Sequence, residues 1–447
     1  KTNGKPTGGK AKSISPTQTS SLYLAPEMAM LPTDTSIVIH LLPTGRYNIH
    51  VDYETKGTKK STADSVSEAN VPLQILITGL TPDSEYSYAV VTDQQVGSTH
   101  TFHTARAKTS DFTFEVQGDS HPERAGSQFD AQFYDQVLHS ASVDEPDFYV
   151  TMGDDFSVDT LKEVNSQAVQ EIYLNQRRWL SQVDAPIFMV NGNHEQASMA
   201  NLDGTSQNVA VWAQSAKSSM FPLPFPSTFY IGDEQKVENI GLLGDYYAWE
   251  WGDALFVVID PYWHSSMTVD NQFGAGREKN KGRDLWSITL GDQQYQWFQK
   301  VLHDSNAKYK FVFTHHVLGT GRGGIEMANS FEWGDAAKLK TNRPTWQKTI
   351  HQVMVDEGVT VFFQGHDHIF ARQELDGVIY QTVPEPANPE YSWENKDAYT
   401  SGDLYPNSGR IRVKVSSTMT TIEYVQSTIG QEDNVVFSYT VQPGETK

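Results

Sequence analysis

Phe112-Thr113-Phe114-Glu115-Val116-Gln117-Gly118-Asp119-Ser120-His121 is an alternating apolar run that stops at a glycine and then presents a carboxylate and an imidazole. Alternation at period two marks a strand, and the glycine lets the chain turn sharply into a polar loop. The arrangement recurs downstream. Residues 148–152 run into Gly153-Asp154-Asp155, 186–190 into Gly192-Asn193-His194-Glu195, 309–314 into His315-His316, and 359–364 into Gly365-His366-Asp367-His368. Helix-like segments lie between them at 128–140, 161–182 and 345–357, and at 290–302, where Tyr295, Phe298, Val301 and Leu302 fall at helical intervals. Further strands are predicted at 378–383, 410–415 and 420–425. Strand, loop and helix in alternation signal an α/β layered domain. In such sheets the carboxyl ends of the strands form the crevice where ligands bind, so motifs far apart in sequence are expected to meet in space.

The chain has 447 residues, which suits two domains. Upstream of residue 107, β-like runs at 36–42, 47–53, 71–78, 86–92 and 99–103 follow one another without a helix-length pattern. They predict a small all-β sandwich over 35–106, with the α/β domain taking 107–447. Residues 1–34, rich in Gly, Ser, Thr, Pro and Lys, read as a flexible tail or linker. A net charge of -21 argues against a basic nucleic-acid-binding surface. No apolar run reaches the roughly eighteen residues of a membrane-spanning helix. With no cysteine there is neither a thiolate nucleophile nor a disulfide. The start at Lys1 suggests a removed leader, and an extracytoplasmic location, periplasmic or secreted, is expected.

The motifs supply imidazoles, hard carboxylates and an amide, the donors that two divalent cations a few ångströms apart require, with one carboxylate able to bridge them. Taken singly, an Asp at a strand end is usually a turn or cap residue and a buried His usually a satisfied core group. Five motifs in one order are not explained that way. In an acidic chain, bound cations would also provide the positive charge that a phosphate substrate needs.

The order D-x-H, G-D, G-N-H-E, H, G-H-x-H resembles the calcineurin-like metallophosphoesterase superfamily over residues 111–425. The preceding β-module gives a layout similar to the purple acid phosphatase branch. Within it, Gly79-Leu80-Thr81-Pro82-Asp83-Ser84-Glu85-Tyr86-Ser87-Tyr88 resembles the turn-and-tyrosine segment of fibronectin type III modules, with Leu80 and one Tyr in the core. The resemblance implies a four-layer αββα domain behind that sandwich. It also implies two divalent transition-metal ions, drawn from Mn, Fe, Zn or Co. Asp119, His121 and His368 would hold one ion, Asn193, His315 and His366 the other, and Asp154 would bridge them. His194 matches the family's non-ligating histidine, which protonates the leaving oxygen or stabilises transition-state charge.

One departure is informative. Purple acid phosphatases carry Gly where His121 stands and a Tyr ligand where Ser157 stands, so a colourless site is expected. Spacing does not separate His315 from His316; the resemblance makes the first the ligand. Asp155, Glu195 and Asp367 are read as orienting groups or loop caps. Candidate substrate contacts are His316, Arg322 in the glycine-rich 319–324 loop, and His264 after Tyr262-Trp263. Each has a plain alternative in packing or turn formation. The activity implied is attack of metal-bound hydroxide on a phosphate mono- or diester of a small molecule or polymer. Two other classes stand beside it: a hydrolase of another ester, such as a phosphotriester or sulfate, and a non-catalytic surface binding or adhesion protein.

Overall fold

The computed structural model describes residues 21–269, 284–319 and 321–444. Alternation in the apolar strands is spent on two different cores. From Phe112–Gln117, Phe114 and Val116 point into a core between two sheets, while Gln117 turns the other way to the hydroxyl of Tyr134 in the helix Ala131–Val143. Phe256 and Val258 enter the same inter-sheet core, and their neighbours Leu255 and Val257 pack under the helices of the opposite face. Both sheets therefore have one face on each other and one under helices, giving a four-layer αββα domain.

The first sheet has 6 strands in the order Ile187–Met189, Phe148–Thr151, Phe112–Gln117, Gly409–Val415, Thr420–Gln426, Asn434–Val441. The second has 8: Ile231–Gly232, Tyr247–Trp251, Ala254–Val258, Tyr309–Phe313, Val361–Gln364, Val378–Thr382, Phe370–Leu375, Asp403–Tyr405. Phe112–Gln117, Phe148–Thr151 and Ile187–Met189 run parallel, as do Ala254–Val258, Tyr309–Phe313 and Val361–Gln364. Aromatic rings fill the space between the sheets, with Phe114 stacked on Phe148 at 5.3 Å and edge-on to Phe256 at 5.1 Å.

The preceding module is all β. One sheet holds Met28–Met30, Ser36–Leu41 and Leu73–Thr78. The other is built on Asn48–Thr55, Glu85–Thr92 and Gln95–His103. Leu80, Tyr86 and Tyr88 are buried in its core, and the amide of Thr81 donates to the Tyr86 hydroxyl at 2.9 Å.

Three expectations need correction. The tail anticipated over 1–34 does not hold for its second part: residues 1–20 lie outside the described ones, but Met28–Met30 pairs with Ser36–Leu41 and Tyr23, Ala25, Met28 and Met30 are buried. Pro26 breaks the apolar run of 22–31 into short pieces and Pro32 ends it, so no period shows. The helix expected at 161–182 begins at Ser166, where the Asn165 side chain accepts from Ala168 N. The one expected at 345–357 is Ile350–Asp356, capped by Thr349. The access-shaping role anticipated for 265–287 falls largely on 270–283, outside the described residues. Among the described residues no helix is long and apolar enough to cross a membrane.

Candidate metal centre

The five loops at the strand ends meet at one edge of the sheets. Their backbone is unusual: His121 (φ 44°), Asp154 (57°), His366 (67°) and His368 (64°) all adopt the left-handed conformation. Outside glycine this costs about 1–3 kcal/mol each and persists where the surroundings demand it, as at functional sites. Two glycines make room for carboxylates. A Cβ at Gly192 would stand 2.2 Å from Asp154 Oδ1, and one at Gly365 2.5 Å from Asp119 Oδ1.

Those two oxygens are pinned by amides, Asp119 Oδ1 by His366 N at 2.7 Å and Asp154 Oδ1 by His194 N at 2.9 Å. The second oxygen of each is thereby turned into the centre. Asp119 Oδ2 lies 3.2 Å from His368 Nε2, 3.6 Å from His121 Nε2 and 3.9 Å from His315 Nε2. Asp154 Oδ2 lies 3.1 Å from His315 Nε2 and 3.9 Å from His121 Nε2. Around His315 Nε2, Asn193 Oδ1 and His366 Nδ1 are each 3.1 Å away. Donor atoms of Asp119, Asp154, His315 and His366 form one compact group and those of Asp119, His121 and His368 another, all within 4.8 Å in each. All seven side chains singled out as ligands in the sequence are buried here together.

Outer partners aim the rings. His315 Nδ1 donates to Met152 O at 2.7 Å, His121 Nδ1 faces Glu123 Oε1 at 2.9 Å and His368 Nδ1 faces Glu394 Oε2 at 2.9 Å. In each case Nε2 is left for the centre, the arrangement by which metal-ligating histidines are oriented. Burial opposes charge on these rings, but Asp154 and Asp119 raise His315 to about 10, Glu123 raises His121 to about 9, and Glu385 with Asp119 raises His368 to about 10. His121 Nε2 is buried without a hydrogen-bond partner among the described residues. Buried orphan atoms are costly unless something else is bound there. The donor set of imidazoles, carboxylates and one amide suits divalent transition ions.

His194 sits at the edge of this centre. Its Nδ1 is 2.6 Å from Asp159 Oδ1, and its Nε2 is 3.7 Å from Asp154 Oδ2 and 3.4 Å from the Arg124 guanidinium. The other expected contacts are more distributed. His316 turns from the centre, with Nδ1 on Val317 O at 2.7 Å and Nε2 3.5 Å from Asp367 Oδ2. Arg322 donates to His366 O at 2.6 Å and Asp367 Oδ1 at 3.1 Å, bracing the loop that carries His366 and His368. His264 is grouped instead with Asp233 and Asp245. Asp155 accepts from Ser120 Oγ at 2.6 Å, and burial raises it to about 7.

Sequence reasoning passed over Glu123, Arg124, Asp159, Glu385 and Glu394. Glu123 and Arg124 stand two and three places after His121 and were open to inspection as neighbours of a ligand. Glu394 comes from a distant loop and carries no local signal.

The family model of calcineurin-like phosphoesterases matches residues 112–370. Among solved structures the fold is similar to that of PhoD, at TM-score 0.66 and 12% identity, over 96% of this chain and 92% of that one. It is also similar to the purple acid phosphatase PPD1 isolated from seeds of yellow lupin (Lupinus luteus), at TM-score 0.61 and 14% identity, over 94% of this chain and 74% of that one. At such identities the likeness is one of fold. No curated protein matches the chain in sequence. With its strand-end motifs inside the matched region, the chain belongs to the calcineurin-like phosphoesterase family and is a metal-dependent phosphoester hydrolase.

Proposed function

We propose that the chain hydrolyses phosphate mono- or diesters with two divalent ions, one on Asp119, His121 and His368, the other on Asn193, His315 and His366, with Asp154 between them. The observation that carries this reading is the pair of buried donor groups sharing Asp119, with Asp154 Oδ2 facing imidazoles of both. Bound there, the ions would lower the pKa of water and neutralise charge on phosphoryl oxygens.

The chain's own residues do the rest. Asp119 and Asp154 are preorganised by amide hydrogen bonds, so their inner oxygens need not move to bind. His194, with Nδ1 on Asp159, has only Nε2 to offer, and that atom would carry the proton to the departing oxygen. Arg124, beside it, would place a guanidinium on a phosphoryl oxygen.

The test is chelation followed by add-back on paired aryl phosphate mono- and diesters, an aryl sulfate and a phosphotriester. We expect activity on the first two to vanish on chelation and return with Mn²⁺, Zn²⁺ or Fe²⁺, at roughly two catalytic ions per chain. Undiminished activity in metal-free protein, or turnover confined to the sulfate or triester, defeats the reading.

A further inference from the structure

Away from the catalytic loops, Asp233, Asp245 and His264 form another group of metal-type donors, one ligand atom from each lying within 4.8 Å of the others. Asp233 directly follows Gly232, which pairs with Tyr247 on the neighbouring antiparallel strand, and Asp245 lies just before that strand begins. His264 is pressed against Gly291, where a Cβ would stand 3.1 Å from the imidazole Cγ. Gly291 opens the helix Gly291–Asp304. A sheet edge, a loop and a helix start thus meet at this point.

The polar atoms here lack the partners that burial demands. Asp245 is 3% exposed, yet neither carboxylate oxygen has a hydrogen-bond partner among the described residues. Only its own amide and that of Tyr246 point toward it, at poor hydrogen-bond geometry, and no side chain donates to it among the described residues. Asp233 Oδ1 accepts from Gln235 N at 2.8 Å and from the Tyr246 hydroxyl at 3.2 Å, which leaves Oδ2 buried and unpartnered. His264 Nε2 is buried and unpartnered as well. The ammonium of Lys217 donates to Asn191 Oδ1, not to this cluster, and its charge is shared among Glu195, Asp260 and Asp245. Unpaired carboxylates in a buried place are retained when they coordinate a cation.

We propose that Asp233, Asp245 and His264 bind a divalent transition cation, Zn²⁺ or Mn²⁺, at a site separate from the catalytic loops. Two carboxylates cancel the charge of such an ion, and an imidazole with two carboxylates is a donor set that zinc and manganese accept, with a position left for water. The ion would tie the edge pair Ile231–Gly232 and Tyr247–Trp251 to the start of Gly291–Asp304. Its role is structural and goes beyond the phosphoesterase reading.

The experiment loads the full chain with Zn²⁺, removes loosely held metal by gel filtration, and maps zinc in crystals by anomalous scattering. A peak is expected among Asp233, Asp245 and His264, apart from any peak at the catalytic loops. Asp245→Asn should hold roughly one ion fewer per chain than the wild type, whereas Asp154→Asn, altered at the catalytic loops, should keep this ion. The wild-type map decides the matter even if Asp245→Asn fails to fold. No peak here at saturating zinc, or wild-type metal content in a folded Asp245→Asn, overturns the proposal.

Discussion

His194 illustrates how one side chain acquires a task from its neighbours. Asp159 takes its Nδ1 and leaves Nε2 at the rim of the centre, 3.7 Å from Asp154 Oδ2. His194→Ala should lower kcat about 10²- to 10⁴-fold while elemental analysis finds the metal content of the wild type. Loss of metal would make it a ligand; an unchanged kcat would remove it from proton transfer. Colour is a second matter settled by single residues. On the resemblance to purple acid phosphatases, Ser157 stands where their tyrosine ligand is expected, and Tyr262, whose ring lies 6.1 Å from that of His315, donates its hydroxyl to Gly319 O at 2.8 Å. Iron-loaded protein should therefore show no strong tyrosinate band in the visible spectrum, and such a band would contradict this assignment.

Among the elements, the strand-end loops were legible because each begins where an apolar alternation stops. What the alternation could not show is why glycine stands at 365. A Cβ there meets Asp119 Oδ1 at 2.5 Å, so Gly365→Ala should push that carboxylate aside and weaken metal binding about 10- to 100-fold, measured by competition with a chelator. Metal affinity equal to wild type would show that the loop can yield. The helix Val209–Met220 escaped sequence reading for a different reason. Gln214 and Lys217 are buried among its alanines, so polar residues fall on the inward face and the amphipathic stripe is blurred. The short helices Ile325–Ala328, Phe331–Gly334 and Ala336–Asn342 are too brief to display a period at all.

Across the whole molecule, the β-module is fastened to the helix Ser166–Leu180: Arg177 donates to Pro26 O at 2.9 Å and His40 O at 3.1 Å, and Arg178 to Leu24 O at 2.9 Å. His100 adds an ionic clasp, with Nδ1 3.0 Å from Asp184 and Nε2 3.5 Å from Glu27. Burial opposes charge on His100, but the hydrogen bonds to Asp184 and Glu27 prevail and raise it from 6.5 to about 10. Because the folded value stands above the unfolded one, this stabilisation is complete below pH 6.5 and disappears as pH rises through about 10. His100→Gln should therefore cost about 1–3 kcal/mol near pH 6 and progressively less toward pH 10, read from Tm measured across that range. A cost independent of pH would show that packing, not charge, makes the contact. By itself the chain announced its layers and its donor inventory, because strand period, turn residues and the chemistry of Asp, Asn and His are local properties. Which atoms face the centre, that Glu123, Asp159 and Glu394 steer the rings, and that His264 goes to Asp233 and Asp245 were decided only by folding. These depend on distances between segments that sequence separation does not encode.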